Sequence, residues 1–325
     1  MMAAVNVRWA FNTKLFLDSS ENWTKCLISI QQDERNRLSP YVFKNSIVSS
    51  LSGRLLLRRW AHKCLGIEWR DVLLQRSERG RPYLVWPEGI ARKDVDVNIS
   101  HQGDWVVLAA CEGGVVGSDV MKVQYSRIPT ISEFFHCMRR QFTKQEWQSI
   151  THDPSDTVKL ERFYRHWCLK ESILKAVGVG VTFQLQDISF CVNNWTLHED
   201  TVVNDTTVDV YNRKNLSWRF EESKLDSDTC VAIAYRPCPA LSLGAQEERK
   251  LEELLKGTEY DDFISFVEDP TGSGCSIEAG CEGVQGMLFE RLTMAELLDG
   301  AQEVSVPVTP SELQSFINKQ TAHWL

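Results

Sequence analysis

No run of apolar residues in this 325-residue sequence approaches the ~20 that a membrane-spanning helix needs. The opening MMAAVNVRWAF meets Asn6 and Arg8 too early for the apolar region of a secretory signal. There are 10 cysteines, but no C-x-x-C pair and no Cys/His spacing suited to zinc. Cys26, Cys64, Cys111, Cys168 and Cys230 lie in apolar stretches instead, as small buried hydrophobes do. The expectation is a reducing compartment, the cytosol, with no membrane partner. Several enzyme signatures are missing too: G-x-x-x-x-G-K-[ST], G-x-G-x-x-G after a strand, H-E-x-x-H and G-x-S-x-G. VGVGV at 177–181 has only two glycines and follows a helical stretch, the wrong setting for a nucleotide fingerprint.

What is present is ordinary for a soluble globular protein, with 43% hydrophobic and 25% charged residues. The charge is unevenly placed. Residues 241–325 hold 16 acidic and 5 basic side chains, a net of −11, which leaves the first 240 residues at +3 out of the overall −8. Basic clusters in the first part fit an anionic ligand or an acidic partner, or simply a solvated face. No nucleic-acid partner is expected.

The chain opens with a strand, VRWAF. Helical pattern follows from Ser19 to about Leu65, with a break at Ser39-Pro40. Strand-like runs come next: VLLQR, RPYLV, VDVNIS and WVVLAAC, then VVGSDVM after the EGG turn. The second half repeats the order. Helical pattern covers about Ser132–Trp147 and Asp156–Val177, and DISFCV, TTVDVY, LSWRF and CVAIAYR read as strands. Helices followed by an antiparallel meander, twice, predict an α+β fold of two similar halves, each with helices on a small antiparallel sheet. The expected boundaries are 1–115, 116–240 and an acidic, partly disordered tail at 241–325, which leaves solubilisation or autoinhibition as the tail's candidate roles. Within it, AELLDGAQ and SELQSFINK read as short helices.

Four stretches are candidates for chemistry. QRSERGRP (75–82) clusters Arg76, Arg79 and Arg81 around Gly80. Guanidinium forks suit phosphate, and glycine lets the backbone approach closely, but a plain basic hairpin turn fits equally. NISHQGDW (98–105) ends a strand on Ser100 and His101. Adjacent residues on a strand face opposite sides, which argues against direct activation of Ser100 by His101. A solvent-facing turn is the alternative there. Asp119 stands in the apolar strand VVGSDVMK, on the same face as Gly117 and Met121, with Gly117 leaving room beside it. ISEFFHCMRRQFTKQEW (131–147) places Phe134, Phe135, Met138 and Phe142 on one core-like face and offers Arg139, Arg140 and Lys144 to an acidic partner.

The most informative segment is WCLKESILKAVGVG (167–180). Phe163, Trp167, Leu169, Ile173, Leu174 and Val177 occupy most of its helical circumference, so Glu171 sits on a helix that is apolar nearly all round. A buried carboxylate is normally paired or ligates something. An i,i+4 pair with Lys175 is one reading. An oxygen-donor site for Mg²⁺ together with Asp119 is the other.

In their order, GRP (80–82), NISH (98–101), VGSDVM (116–121) and FYRHWCLKESILKAVGVG (163–180) resemble the 4′-phosphopantetheinyl transferases, in particular the larger monomeric Sfp-type enzymes. The likeness runs from about Val7 to Arg236 and is most specific in W-x-x-K-E-S-x-x-K. It implies a pseudo-dimer of two α+β halves. It implies transfer of 4′-phosphopantetheine from coenzyme A to a serine of a carrier protein, releasing adenosine 3′,5′-bisphosphate. The alternative is a protein that binds coenzyme A or a carrier without transferring anything.

By the resemblance, coenzyme A would contact Arg37, the segment Arg76, Ser77, Glu78, Arg79, Gly80 and Arg81, the segment Asn98, Ile99, Ser100 and His101, and the segment Glu171, Ser172, Ile173, Leu174 and Lys175. Asp119 and Glu171 would hold Mg²⁺, and Asp119, Glu171 and Lys175 would serve catalysis, with Glu171, directly or through water, as the base. Many bacterial relatives read D-x-E where this chain reads Asp119-Val120-Met121. A thioether is no ligand for a hard cation, which leaves the third position to water or to Gln102; Gln102 is the hypothesis, because it stands just past the NISH strand end. The expected partners are acyl carrier domains of fatty acid synthase, of a mitochondrial-type carrier and of the aminoadipate reductase type, served by a monomer.

Overall fold

The computed structural model describes residues 6–16, 18–77, 80–91, 93–124, 130–178, 184–237 and 286–321. They form two compact units, one drawn from residues 1–76, 82–112 and 289–325, the other from 77–81 and 113–288.

In the first unit, β1 (Val7–Asn12) leads into α1 (Ser20–Ile28), α2 (Gln32–Asn36) and the 22-residue α3 (Lys44–Leu65). α3 stops at Gly66, whose φ of +72° is the left-handed cap that glycine adopts without strain. The expected break at Ser39-Pro40 falls between α2 and α3. β2 (Leu73–Arg76) and β3 (Pro82–Val85) make a hairpin. β4 (Val95–Gln102) and β5 (Trp105–Glu112) make a second, and β5 pairs antiparallel with β1. α3 lies on β4 and β5. Two buried guanidiniums of α3 share one carboxylate: Glu34 is 3.1 Å from Arg58 and 3.7 Å from Arg54.

Residues 289–321, grouped by composition with the acidic tail, instead belong to this unit. β12 (Glu290–Leu292) adds a parallel edge strand to β1, and α7 (Met294–Leu297) and α8 (Pro310–Ile317) follow. Leu292, Leu297 and Phe316 have at most 1% exposure, and that burial fixes the segment. The helices expected in AELLDGAQ and SELQSFINK are α7 and α8. The remainder of the proposed tail, 241–285, lies outside the described residues.

The second unit begins with β6 (Gly114–Lys122), then α4 (Ile131–Cys137), α5 (Lys144–Thr151) and the 22-residue α6 (Asp156–Val177). β7 (Ile188–Cys191), β8 (Thr207–Val210) and β9 (Arg213–Asn215) form one antiparallel sheet. β10 (Arg219–Asp226) and β11 (Thr229–Pro237) join β6 in another, in the order β10-β11-β6. α6 lies on β6 and β11. Each unit therefore presents a long buried helix against a small, mainly antiparallel sheet, as the sequence predicts.

Two elements differ from expectation. The helix read over 132–147 is broken, because Thr143 caps α5 in a capping box with Glu146. β10 extends through the polar EESKLD because Glu222 is buried against Arg165 (2.7 and 2.9 Å) and Thr206 (2.5 Å). The five thiols expected in the core are buried. Burial pushes the Cys26 thiol up to about 12 and Cys64 to about 11, so both stay protonated.

Candidate active site

The site begins with a missing side chain. A Cβ on Gly117 would stand 2.0 Å from Ser172 O and 2.3 Å from Ala176 N. The space beside Asp119 is thus filled by the backbone of α6, not left open. This close approach sets Asp119 on β6 against Glu171 and Lys175 on α6. Gly117→Ala would force strand and helix apart by about 1 Å. Overpacking of this kind costs roughly 1–3 kcal/mol or more. A misplacement of that size costs catalysis about 100-fold. A thermal melt and an initial rate check both, and a wild-type rate in the variant would refute this placement.

Asp119 is buried, with 4% exposure. Its Oδ1 lies 2.5 Å from Lys175 Nζ. The Cys168 thiol donates to the Asp119 backbone carbonyl at 3.0 Å, which fixes the strand behind the carboxylate. Glu171 is half-buried, and its Oε1 has no hydrogen-bond partner among the described residues. Burial, and then the neighbouring Asp119 charge, push the Glu171 carboxyl above the ordinary carboxylate range, with Lys175 opposing. Among the described residues no three His, Cys, Asp or Glu side chains gather into a metal-ligand cluster. The second unit offers two carboxylates, and Met121 adds no oxygen.

Lys170, beside Glu171 in the same motif, does other work. Its ammonium is fully buried, 2.9 Å from Glu146 Oε2, and donates to the carbonyls of Leu185 (2.6 Å) and Ile188 (2.5 Å). Glu146 in turn accepts from the Thr143 and Phe190 amides. This satisfied pair ties α5, α6 and β7 together. Burial holds the Lys170 ammonium below its usual value against the pull of Glu146.

One turn earlier, His166 is fully buried. Its Nδ1 lies 2.8 Å from Arg162 O, and Nε2 has no hydrogen-bond partner among the described residues. Burial lowers its pKa, with Glu146 opposing and Lys170 and Arg165 reinforcing the fall. The folded protein therefore resists a proton that the unfolded chain accepts near pH 6.5. This stabilisation is complete above that pH and is lost below it, at about 1.4 kcal/mol per pH unit until the folded pKa is reached. Melting temperatures from pH 7.5 to 5.5 should fall less steeply in His166→Phe. Equal slopes would show that His166 does not titrate as described.

The other expected site residues fall into three groups. In the β2–β3 turn, Gly80 has φ +83°, Ser77 N–H donates to Arg81 O (2.9 Å), and Arg81 N–H donates to Ser77 Oγ (3.2 Å). The Arg81 guanidinium donates to Ala176 O (2.9 Å) and Val116 O (3.2 Å), so it caps the end of α6 and ties it to β6. Glu78 and Arg79 lie outside the described residues. In the first unit, exposed Arg37 pairs with Asp33 at 2.6 Å. Burial lowers the Arg54 guanidinium's pKa, Glu34 opposes, and Arg76 and Arg37 add to the fall, which places three guanidiniums in one neighbourhood. β4 carries Asn98 and Ser100 buried, Ile99 and Gln102 half-buried, and His101 exposed. The face of this strand that carries Asn98, Ser100 and Gln102 is therefore largely covered. On α6, Ile173 and Leu174 point into the core and Ser172 Oγ donates to Leu169 O, so any ligand contact there would use the backbone.

Residues 17–113 match the family model described as 4′-phosphopantetheinyl transferase, N-terminal, and residues 115–234 match that of the 4′-phosphopantetheinyl transferase superfamily. The chain is 39% identical over 230 residues to the L-aminoadipate-semialdehyde dehydrogenase-phosphopantetheinyl transferase of Mus musculus, covering 71% of this chain and 74% of the relative. The chain belongs to the 4′-phosphopantetheinyl transferase superfamily.

A phosphopantetheinyl transferase of Thraustochytrium sp. is 32% identical over 231 residues, 70% of this chain and 77% of that one. The 4′-phosphopantetheinyl transferase of Bacillus subtilis is 26% identical over 165 residues, 51% and 67% of the two chains. This protein is therefore an enzyme, a transferase of the phosphopantetheinyl group. The comparisons give no support to a binding protein without activity. Within the transferase, the carboxylate pair with a bare buried Glu171 Oε1 fits a hard cation, which favours oxygen donors and takes few from protein when phosphates supply the rest.

Proposed function

We propose that this transferase moves 4′-phosphopantetheine from coenzyme A to a carrier serine with Mg²⁺ held by Asp119 and Glu171, and with Gln102 as a third oxygen ligand. The carrying observation is the bare, buried Glu171 Oε1 beside Asp119. Mg²⁺ would neutralise charge building on the pyrophosphate. The serine oxygen bonds to the phosphorus next to pantetheine, and the bond from that phosphorus to the bridging oxygen breaks. Adenosine 3′,5′-bisphosphate leaves with the bond electrons. The serine proton passes to Glu171, directly or through a water. Arg37 and Arg76, in one electrostatic neighbourhood with Arg54, position the nucleotide phosphates, with Arg81, His101 and Lys175.

The mouse relative's name contains L-aminoadipate-semialdehyde dehydrogenase. A carrier domain of that type is the first to test, followed by fatty acid synthase and mitochondrial-type carriers. Exposed Arg139, Arg140 and Lys144 suit an acidic carrier surface. A monomer working in the cytosol completes the reading.

The test uses a fluorescent coenzyme A analogue and an apo carrier, with Mg²⁺ or with a chelator. Label should appear on the carrier only with Mg²⁺. An unlabelled carrier in both arms would end the transfer reading, and equal labelling would end the metal reading alone.

A further inference from the structure

We propose that Lys175 is the resident counter-ion of the Asp119–Glu171 pair, and that it gives up Asp119 when a divalent cation arrives. The inference rests on the cation reading above and adds a competitor to it.

The geometry carries the argument. Two carboxylates meet between β6 and α6, and no tighter approach of these elements is available, because Gly117 already meets α6 backbone. Left alone, the pair would repel. The ammonium of Lys175, 2.5 Å from Asp119 Oδ1, offsets that repulsion. Its residence there is of an exchangeable kind. Asp119 has 5% side-chain exposure, whereas Lys175 has 31%, so the stem reaches inward from a partly open position. A lysine is a point charge on a flexible four-carbon stem and swings without disturbing the helix. Lys170 shows the contrast: its side chain is fully buried.

A divalent cation bonded to the Asp119 carboxylate would stand within a few ångströms of that ammonium. The two positive charges compete for the same oxygens. Binding of the cation therefore expels Lys175 and frees its ammonium for the anionic substrate. The carboxylate pair is held ready before the metal comes, and the lysine becomes available only once the metal is in place.

The decisive measurement is Mn²⁺ binding to the full chain without coenzyme A, read by electron paramagnetic resonance and calorimetry. Lys175→Met should bind Mn²⁺ about tenfold more tightly than wild type, because the competing charge is gone. Lys175→Arg, which keeps the charge, should stay close to wild type, and its melting curve reports whether the position tolerates change. The tight binding should vanish in the Asp119→Ala/Lys175→Met double variant. Equal or weaker binding in Lys175→Met, with wild-type binding that Asp119→Ala removes, overturns the competition and leaves the cation site intact. Mn²⁺ binding in none of the variants overturns the cation reading and this inference together.

Discussion

Asp119→Ala is expected to cut the rate of carrier labelling by on the order of 10²–10³-fold, the scale for removing one pre-organised charge from a transition state. The melting temperature should hardly move. Asp119 is buried, but its removal relieves repulsion with Glu171, and Lys175 is exposed enough to turn its ammonium to water. The bond from Cys168 to the backbone carbonyl of residue 119 does not need the carboxylate, so the strand keeps its support. The loss should fall on turnover at saturating coenzyme A more than on the concentration needed for saturation. Initial rates with an apo carrier, beside a thermal melt, separate the two. Activity within tenfold of wild type would remove Asp119 from the mechanism. Activity lost together with the fold would make it a structural residue.

The long helices were legible because their pattern is local. α6 ends at Gly178, where φ +79° suits glycine, and the apolar residues from Phe163 to Val177 announce a buried rod. The burial of Glu171 could be read from that pattern alone. What Lys175 touches could not. Its partner Asp119 is 56 residues away, and the contact exists only because Gly117 admits the helix backbone. An isolated glycine in an apolar strand is a signal of close backbone approach, and it points to this contact in retrospect. Lys170 and Glu171 look alike in the motif, and only the fold shows that the lysine anchors α6 while the glutamate faces the site. The extension of β10 beyond LSWRF was hidden for a related reason. Its glutamate and lysine read as surface, but Glu222 is buried because Arg165, on another element, answers it. Thr143-x-x-Glu146 did carry a local signal, and it marks the start of α5.

Removing residues 286–325 is expected to abolish cooperative folding of the first unit, not to release an inhibited enzyme. The segment carries Leu292, Leu297, Leu298 and Phe316 into the core. Each such side chain contributes roughly 1.5–3 kcal/mol on burial, so the four together approach the whole stability of a domain, roughly 5–15 kcal/mol. Phe316 stacks on Trp23 at 6.1 Å, and β12 lies along β1 with the Trp9 indole N–H donating to Glu290 (2.8 Å). The deletion also strands a buried cation. Arg35, 1% exposed, is 3.1 Å from Glu312 and donates to Val306 O at 2.9 Å. An uncompensated buried guanidinium adds several kcal/mol to the loss. A stop at Pro239 removes the same core, so lost activity in that truncation would report unfolding. The point variant Phe316→Ala keeps the chain complete and should cost roughly 3–5 kcal/mol, visible as a lower melting temperature. A deletion that melts like the full chain and labels its carrier as fast would return 286–325 to the status of a dispensable tail.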